Sequence, residues 1–137
     1  MAFKDNSETI DTNILLSLIL EDQPRQREKT VRMLIDPNRT FLVPDIVFAE
    51  ALRVITKQGK ISRAKATESI YKVLSAFYNL SYDLHIVTEV FHDYVAHPAL
   101  SFEDCYLAYY ATKSGATPLW TFDKKLIQSL PNTKEPK

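Results

Sequence analysis

Four acidic residues stand at positions where an enzyme could use them. Asp11, Asp104 and Asp123 each lie at the predicted start of a helix, and Glu50 lies inside the apolar run 47–52. In open parallel sheets, sites form where a strand ends and the chain turns into the next helix. Carboxylates gathered there repel one another unless a hard divalent cation lies among them, and oxygen-only ligands select Mg²⁺ or Mn²⁺ over zinc. Taken together, the four acids predict a magnesium or manganese site.

Each acid alone also has a simpler explanation. Asp11 and Asp123 could be N-caps, and Asp104 could be a capping residue at the third helical position. Glu50 alone could be a solvated helix residue, but its neighbours Ala49 and Ala51 suggest a buried setting. An ionised carboxylate is costly there without a cation or a hydrogen-bond donor, so we expect positive charge close to Glu50.

The elements that position these acids read as helices alternating with short apolar strands. Helix starts are predicted at capping or proline positions, and helix stops at glycine or proline. The predicted starts are Asp11, Pro24, Asp45, Ser62, Thr88, Ser101 and Asp123, and the predicted stops are Pro37, Gly59, Pro98 and Gly115. The predicted strands are a weak one ending at Ile10, then 41–43, 84–87 and 119–121.

This alternation predicts one α/β domain over residues 1–137. Apolar strands separated by helices favour a parallel sheet with both faces covered, here a three-layer α/β/α arrangement with about four to five strands. The polar tail after Pro131 is expected to fray.

Composition limits the classes of protein that fit. The chain has 137 residues, of which 45% are hydrophobic and 25% are charged, as in an ordinary globular domain. Its longest apolar stretch, 14–20, is too short for a membrane span, and the single Cys105 excludes an internal disulfide framework. We therefore expect a soluble cytoplasmic protein that does not bind membranes.

The net charge of zero conceals an uneven distribution along the chain. Residues 51–67 carry basic side chains and no acid, whereas residues 73–112 carry acids and no Lys or Arg. The basic run could guide an RNA backbone toward the acids by phosphate contacts, or it could be a solvated face without a role. Its candidate RNA contacts are Arg53, Lys57, Lys60 and Arg63.

Four segments resemble the motifs of PIN-domain ribonucleases, in particular the toxins of VapBC-type toxin–antitoxin pairs. They are the opening Asp-Thr-Asn segment at 11–16, the glutamate-bearing helix at 47–52, the third acid with its alanine-bearing helix at 102–108, and the closing Thr-x-Asp at 119–123. Their order and spacing agree with the family from about Ile10 to Leu130. The family's first strand is usually a run of aliphatic residues, and here only Ile10 fits that pattern.

The resemblance implies metal-assisted hydrolysis of RNA phosphodiester bonds. It assigns Asp11, Glu50, Asp104 and Asp123 as catalytic residues that bind Mg²⁺ or Mn²⁺, directly or through water. Products with 5′-phosphate and 3′-hydroxyl ends are implied as well.

Two further residues and two partners follow from the same resemblance. Asn13 and Thr121 are candidates for orienting the carboxylates or a water molecule. An antitoxin protein that covers the site, and a homodimer, are the expected partners.

Three alternatives compete with this interpretation. The chain could be a PIN nuclease that is not a toxin, or a catalytically silent RNA-binding module of the same fold. A phospho-acceptor signalling domain is disfavoured. That class has a pair of acids after its first strand and a lysine at its last strand, whereas here Asp11 is followed by Thr-Asn and the segment 121–123 supplies an acid.

The tyrosines of the predicted helix after Ser101 have two explanations. Tyr106, Tyr109 and Tyr110 could stack on bases, although packing is favoured by the four-residue spacing of Tyr106 and Tyr110.

Overall fold

The computed structural model of the protein describes residues 6–137. Helices alternate with two-residue strands along this part of the chain, and the strands pair in parallel. The predicted α/β class with a short parallel sheet is thus confirmed. The chain divides into two compact units, the first ending at Asp83 and the second spanning Leu84–Lys137.

The first unit contains a three-stranded sheet and four helices. In chain order these are β1 (Glu8–Thr9), α1 (Thr12–Ile19), α2 (Pro24–Leu34), β2 (Phe41–Leu42), α3 (Asp45–Gln58), α4 (Arg63–Ala76) and β3 (Leu80–Ser81). The strand order is β1-β2-β3, with Phe41 paired to both Glu8 and Leu80. Helix α1 packs against α2, α3 and α4. Leu15, Phe48, Leu52, Ile55 and Ile70 form the centre of this core and are at most 1% exposed.

The first strand forms although its sequence is polar. The Glu8 amide donates to the Thr40 carbonyl (2.9 Å), and the Ile10 amide donates to the Leu42 carbonyl (3.1 Å). The Arg39 guanidinium binds both carboxylate oxygens of Glu8, at 2.7 and 2.8 Å. These hydrogen bonds lower the pKa of Glu8 and raise that of Arg39. Pairing with β2 therefore holds the short strand that leads into Asp11.

Buried Asn79 fixes the connection between α2 and β2. Its amide donates to the carbonyls of Leu34, Asp36 and Arg39 at 2.9, 3.3 and 3.0 Å. The backbone carbonyl of Asn79 accepts from the Phe41 amide at 2.9 Å. One side chain thus satisfies three backbone acceptors that a loop would otherwise leave unpaired.

The third helix has the predicted bounds but different end chemistry. Pro44 occupies the N-cap without a side-chain bond, so Asp45 is the first helical residue and not the cap. Gly59 does end the helix, but with a φ of −76°, and Lys60 takes the left-handed conformation (φ 52°) instead.

The second unit is mainly helical. It contains a π-helical turn (Ile86–Val90) continuous with α5 (Phe91–Ala96), then α6 (Phe102–Ser114), β4 (Leu119–Trp120), α7 (Lys124–Ser129) and β5 (Thr133–Lys134). As predicted, α6 starts with a capping box between Ser101 and Asp104, and Gly115 ends it in the left-handed conformation (φ 75°). Cys105 is fully buried, as its apolar setting indicates.

The predicted strand at 84–87 is wrong, because this segment is helical and β3 lies earlier, at Leu80–Ser81. Ile86, Val87 and Val90 are all buried, at a spacing that fits a helical face better than a strand. Thr88 therefore does not cap a helix; its hydroxyl donates to the Leu84 carbonyl inside the helical segment (2.9 Å).

The prediction of a frayed tail is also wrong. The Leu119 amide donates to the Asn132 carbonyl (2.8 Å), and the Thr121 amide donates to the Lys134 carbonyl (2.9 Å). The tail thus supplies β5, which pairs with β4 in a separate two-stranded sheet. Among the described helices, none has the length and hydropathy needed to cross a membrane.

Candidate active site

Asp11 stands at the junction between β1 and α1. It is the N-cap of α1, and its Oδ1 accepts a hydrogen bond from the Ile14 amide at 3.2 Å. Ile10, directly before it, is 3% exposed and is bonded to β2. A buried residue on one side and a helix on the other therefore fix the position of this exposed carboxylate.

Glu50 is brought to the same helix end by a contact across 38 residues of sequence. The Thr12 hydroxyl donates to Glu50 Oε2 at 3.1 Å, joining the first residue of α1 to the middle of α3. Glu50 is exposed, so the expectation of a buried carboxylate is wrong: Ala49 and Ala51 face the core while Glu50 does not. The partner that the structure shows is the neutral Thr12 hydroxyl and not the expected positive charge. Both carboxylates thus lie at the positive end of the α1 dipole, which favours negative charge.

Thr12 was not among the residues predicted for the site, whereas Asn13 was. The Asn13 side chain is exposed and makes no hydrogen bond with any residue between 6 and 137, so its orienting role stays a prediction. The sequence offered one signal for Thr12, a hydroxyl placed directly between Asp11 and Asn13. Its partner could not be read from the sequence, because that partner lies on another helix.

In the second unit, Asp104 is held by the start of α6. Its Oδ2 accepts from the Ser101 amide at 3.1 Å, and its own amide donates to the Ser101 hydroxyl at 3.1 Å. The residue is half-buried. The neighbouring Glu103 is exposed and also has an interaction partner.

Asp123 lies in the same unit, at the junction between β4 and α7. Its Oδ1 accepts from the amides of Lys125 (2.9 Å) and Leu126 (3.4 Å). The Thr121 hydroxyl accepts from the Asp123 amide at 3.0 Å. Thr121 therefore orients the backbone of Asp123, and its role in orienting a carboxylate or a water molecule stays a prediction.

The three aspartates share one arrangement. Each uses one carboxylate oxygen to cap a helix, and the second oxygen has no protein partner within residues 6–137. The capping explanation is thus confirmed for all three. It does not compete with ligand binding, because an ionised carboxylate offers about four acceptor sites on its two oxygens.

The donors have the chemistry that Mg²⁺ and Mn²⁺ prefer. Asp11 and Glu50 belong to the first compact unit, and Asp104 and Asp123 belong to the second. Within the described part of the chain, no group of three or more His, Cys, Asp or Glu residues is placed to hold a metal ion. The assignment of all four acids to one metal site therefore stays a prediction.

The basic run begins on the helix that carries Glu50. Glu50, Arg53 and Lys57 follow one another at intervals of three and four residues, so they share one face of α3. Arg53, Lys57 and Lys60 are exposed, and Arg63 is half-buried at the start of α4. A line of positive charge thus continues from the Glu50 carboxylate along α3.

The tyrosines of α6 are used mainly for packing. Tyr106 stacks between Phe102 and Tyr110, with ring centroids 6.2 and 6.3 Å apart. Tyr106 and Tyr109 are half-buried, whereas Tyr110 is 59% exposed.

Comparison with models of protein families gives a match. A family model described as PIN domain matches residues 9–129, which include all four acids and most of each compact unit. A search of curated proteins gave no match.

Proposed function

The chain belongs to the PIN-domain family, a family of nuclease fold, and from this premise we propose that it is a metal-dependent endoribonuclease. The observation that carries the proposal is the Thr12–Glu50 hydrogen bond, which brings the second acid of the set to the helix end capped by the first. Capping of α1 needs only the Asp11 carboxylate, so a second carboxylate at this helix end supports a role beyond capping.

Asp11, Glu50, Asp104 and Asp123 would hold Mg²⁺ or Mn²⁺ through oxygen atoms, directly or through water. When bound, such an ion lowers the pKa of a water molecule and stabilises charge on the leaving oxygen. The donor set fits this group, since it contains only carboxylates.

The protein's own residues position these carboxylates. The caps at Asp11, Asp104 and Asp123 restrict side-chain rotation, because each cap bond fixes one carboxylate oxygen against backbone amides. The Thr12 hydroxyl does the same for Glu50. Arg53 and Lys57, on the Glu50 face of α3, would bind phosphates of the RNA strand and bring it to the acids.

We further propose that the protein is the toxin of a type II toxin–antitoxin pair, inhibited by an antitoxin and assembled as a homodimer. The order of the four motifs supports this assignment. Exposed apolar side chains on α6, Leu107 (48%) and Tyr110 (59%), offer surface for a protein partner.

The decisive experiment is RNA cleavage by the purified protein with Mn²⁺, Mg²⁺ or excess chelator. We expect cleavage only with a divalent ion, and a loss of several orders of magnitude in Asp11→Asn. Asp22→Asn, which changes an exposed acid outside the four motifs, is the matched control and should cleave at the wild-type rate. Equal cleavage in chelator would refute metal dependence, and RNA binding without cleavage under all conditions would establish the silent binding module.

A growth assay tests the toxin role separately. Induced expression should arrest growth, and Asp11→Asn should relieve the arrest. Cleavage in vitro with no effect on growth would identify a PIN nuclease that is not a toxin.

A further inference from the structure

Two large aromatic side chains are exposed beside Asp123. Trp120 ends β4 and Phe122 follows two residues later, with 58% and 73% of their surfaces exposed. Neither ring contacts another aromatic ring or forms a hydrogen bond within residues 6–137. Apolar surface of this size is costly to leave in contact with water. Two such rings two residues apart in sequence, directly before Asp123, favour a binding surface over the isolated exposure that is normal for single side chains.

The surroundings of these rings are cationic. Lys124 and Lys125 follow Asp123 directly, and Lys134 is the β5 residue paired in register with Trp120. All three lysines are exposed, and none forms an ion pair with a described residue. Residues 119–134 thus carry three lysines against the single acid Asp123.

Aromatic rings and lysines together fit single-stranded nucleic acid. Every base has a π-face that can stack on an aromatic side chain, and lysines bind the phosphates between bases. A protein partner would use the rings but has no general need for three unpaired cations. A cavity of about 380 Å³ also opens against Trp120, lined by Lys134, Glu135, Pro136 and Lys137.

Building on the nuclease function proposed above, we propose that Trp120 and Phe122 form a stacking platform that binds unpaired bases of the RNA. Lys124, Lys125 and Lys134 bind the adjoining phosphates. The platform lies one residue from Asp123, so it positions the strand next to this acid. Stacking requires bases that are not paired, which makes single-stranded or loop RNA the substrate class.

Trp120 is the only tryptophan in the chain, so its fluorescence reports directly on the platform. Oligouridylate is titrated into the protein in chelator, where cleavage is blocked, and binding is followed in parallel by the anisotropy of labelled RNA. We expect the tryptophan emission to be quenched in step with binding. An abasic oligonucleotide of the same length keeps the phosphates but lacks the bases, and it should bind without quenching.

Variants separate stacking from charge. Trp120→Leu and Phe122→Leu should each weaken oligouridylate binding roughly tenfold, about 1.4 kcal/mol, and leave abasic binding unchanged. Tyr78→Leu is the matched control: it removes a ring that is 82% exposed in the first unit, and it should not change binding. Circular dichroism checks that the variants fold. The quenching of wild-type tryptophan emission tests the platform even if a variant fails to fold.

Three outcomes would overturn the platform: RNA that fails to bind, RNA that binds with unchanged emission, or Trp120→Leu with wild-type affinity and full discrimination against the abasic strand. Emission that changes with protein concentration in the absence of RNA, together with loss of a dimer in Trp120→Leu, would instead identify a subunit interface.

Cleavage with Mn²⁺ is measured on the same samples, so that the platform and the nuclease function are tested separately. Cleavage without quenching refutes the platform alone, and quenching without cleavage refutes the nuclease alone.

Discussion

A carboxylate can cap a helix and bind a cation at the same time, because its two oxygens serve different partners. At Asp11, Oδ1 accepts from the Ile14 amide, and Oδ2 has no protein partner within residues 6–137. The cap supplies orientation, and orientation is what a metal ligand needs from its surroundings. The capping interpretation of the acids is therefore compatible with the proposed catalytic one.

The Thr12 hydroxyl gives the first prediction at this scale. Thr12→Val removes the donor to Glu50, so the cleavage rate should fall about 10- to 100-fold, as for other residues that orient metal ligands. Thr12→Ser keeps the hydroxyl and should retain most of the activity. Single-turnover rates with saturating Mn²⁺ measure both variants. Equal rates in Thr12→Val and wild type would show that the contact has no catalytic role.

Asp104 gives the second prediction, which separates its two roles. In the metal-free protein, Asp104→Asn should lower stability by only about 0.3–1 kcal/mol, because the amide oxygen can still accept from the Ser101 amide. With Mn²⁺ at a hundredfold excess over Kd, the wild type should gain about 2.7 kcal/mol, and the variant should lose most of that gain. Thermal melts with and without Mn²⁺ measure both effects. An unchanged Mn²⁺ effect in the variant would make Asp104 a capping residue only.

At the scale of elements, the site depends on β1, a strand of two residues. Its backbone hydrogen bonds to β2 fix the position of Ile10, and Ile10 in turn fixes the position of the next residue, Asp11. The Arg39 guanidinium, which also lies 5.0 Å from the Phe41 ring centroid, binds the Glu8 carboxylate from the loop before β2. A pair of charges thus replaces the aliphatic side chains that usually hold such a strand.

This pair predicts a dependence of stability on pH. The Arg39 hydrogen bond lowers the pKa of Glu8 from 4.5, so ionised Glu8 stabilises the folded state. That contribution is complete above pH 4.5 and is lost as the pH falls through the lowered pKa. Thermal midpoints between pH 7 and pH 3 should therefore fall less steeply in Glu8→Gln than in the wild type. Parallel curves for the two proteins would show that the pair does not stabilise β1.

At the scale of the whole molecule, a formal net charge of zero coexists with separate basic segments. One lies along α3 and into α4, and the other surrounds Trp120 in the second unit. The proposed RNA binding would depend on this local charge and would therefore be sensitive to salt.

The corresponding prediction concerns Lys57 and Lys60, which form no ion pair with described residues. Replacing both with Gln should weaken binding of single-stranded RNA and reduce the slope of log K against log salt by about 1.4. Lys29→Gln, on the exposed surface of α2, is the control and should leave the slope unchanged. Binding isotherms at several salt concentrations measure the slope. An unchanged slope in the double variant would show that these lysines are solvated and do not bind RNA phosphates.

The sequence by itself determined where several helices begin. Asp11, Ser62, Ser101 and Asp123 all cap the helices predicted from them. A cap bond joins atoms two or three residues apart, so its formation depends on local sequence. The four acids and their order were visible for the same reason, since each belongs to a short motif.

Only the tertiary structure decided what depends on distant partners. A two-residue strand is defined by its neighbour, so the position of β3 and the existence of β5 could not be read from local hydropathy. The run 84–87 became helical because Ile86 and Val87 are buried at a helical spacing with Val90 of the following turn. The hydrogen bond from Thr12 to Glu50 spans 38 residues and forms because α1 packs against α3. The local sequence therefore identifies the acids, whereas packing between α1 and α3 decides that Glu50 lies at the start of α1.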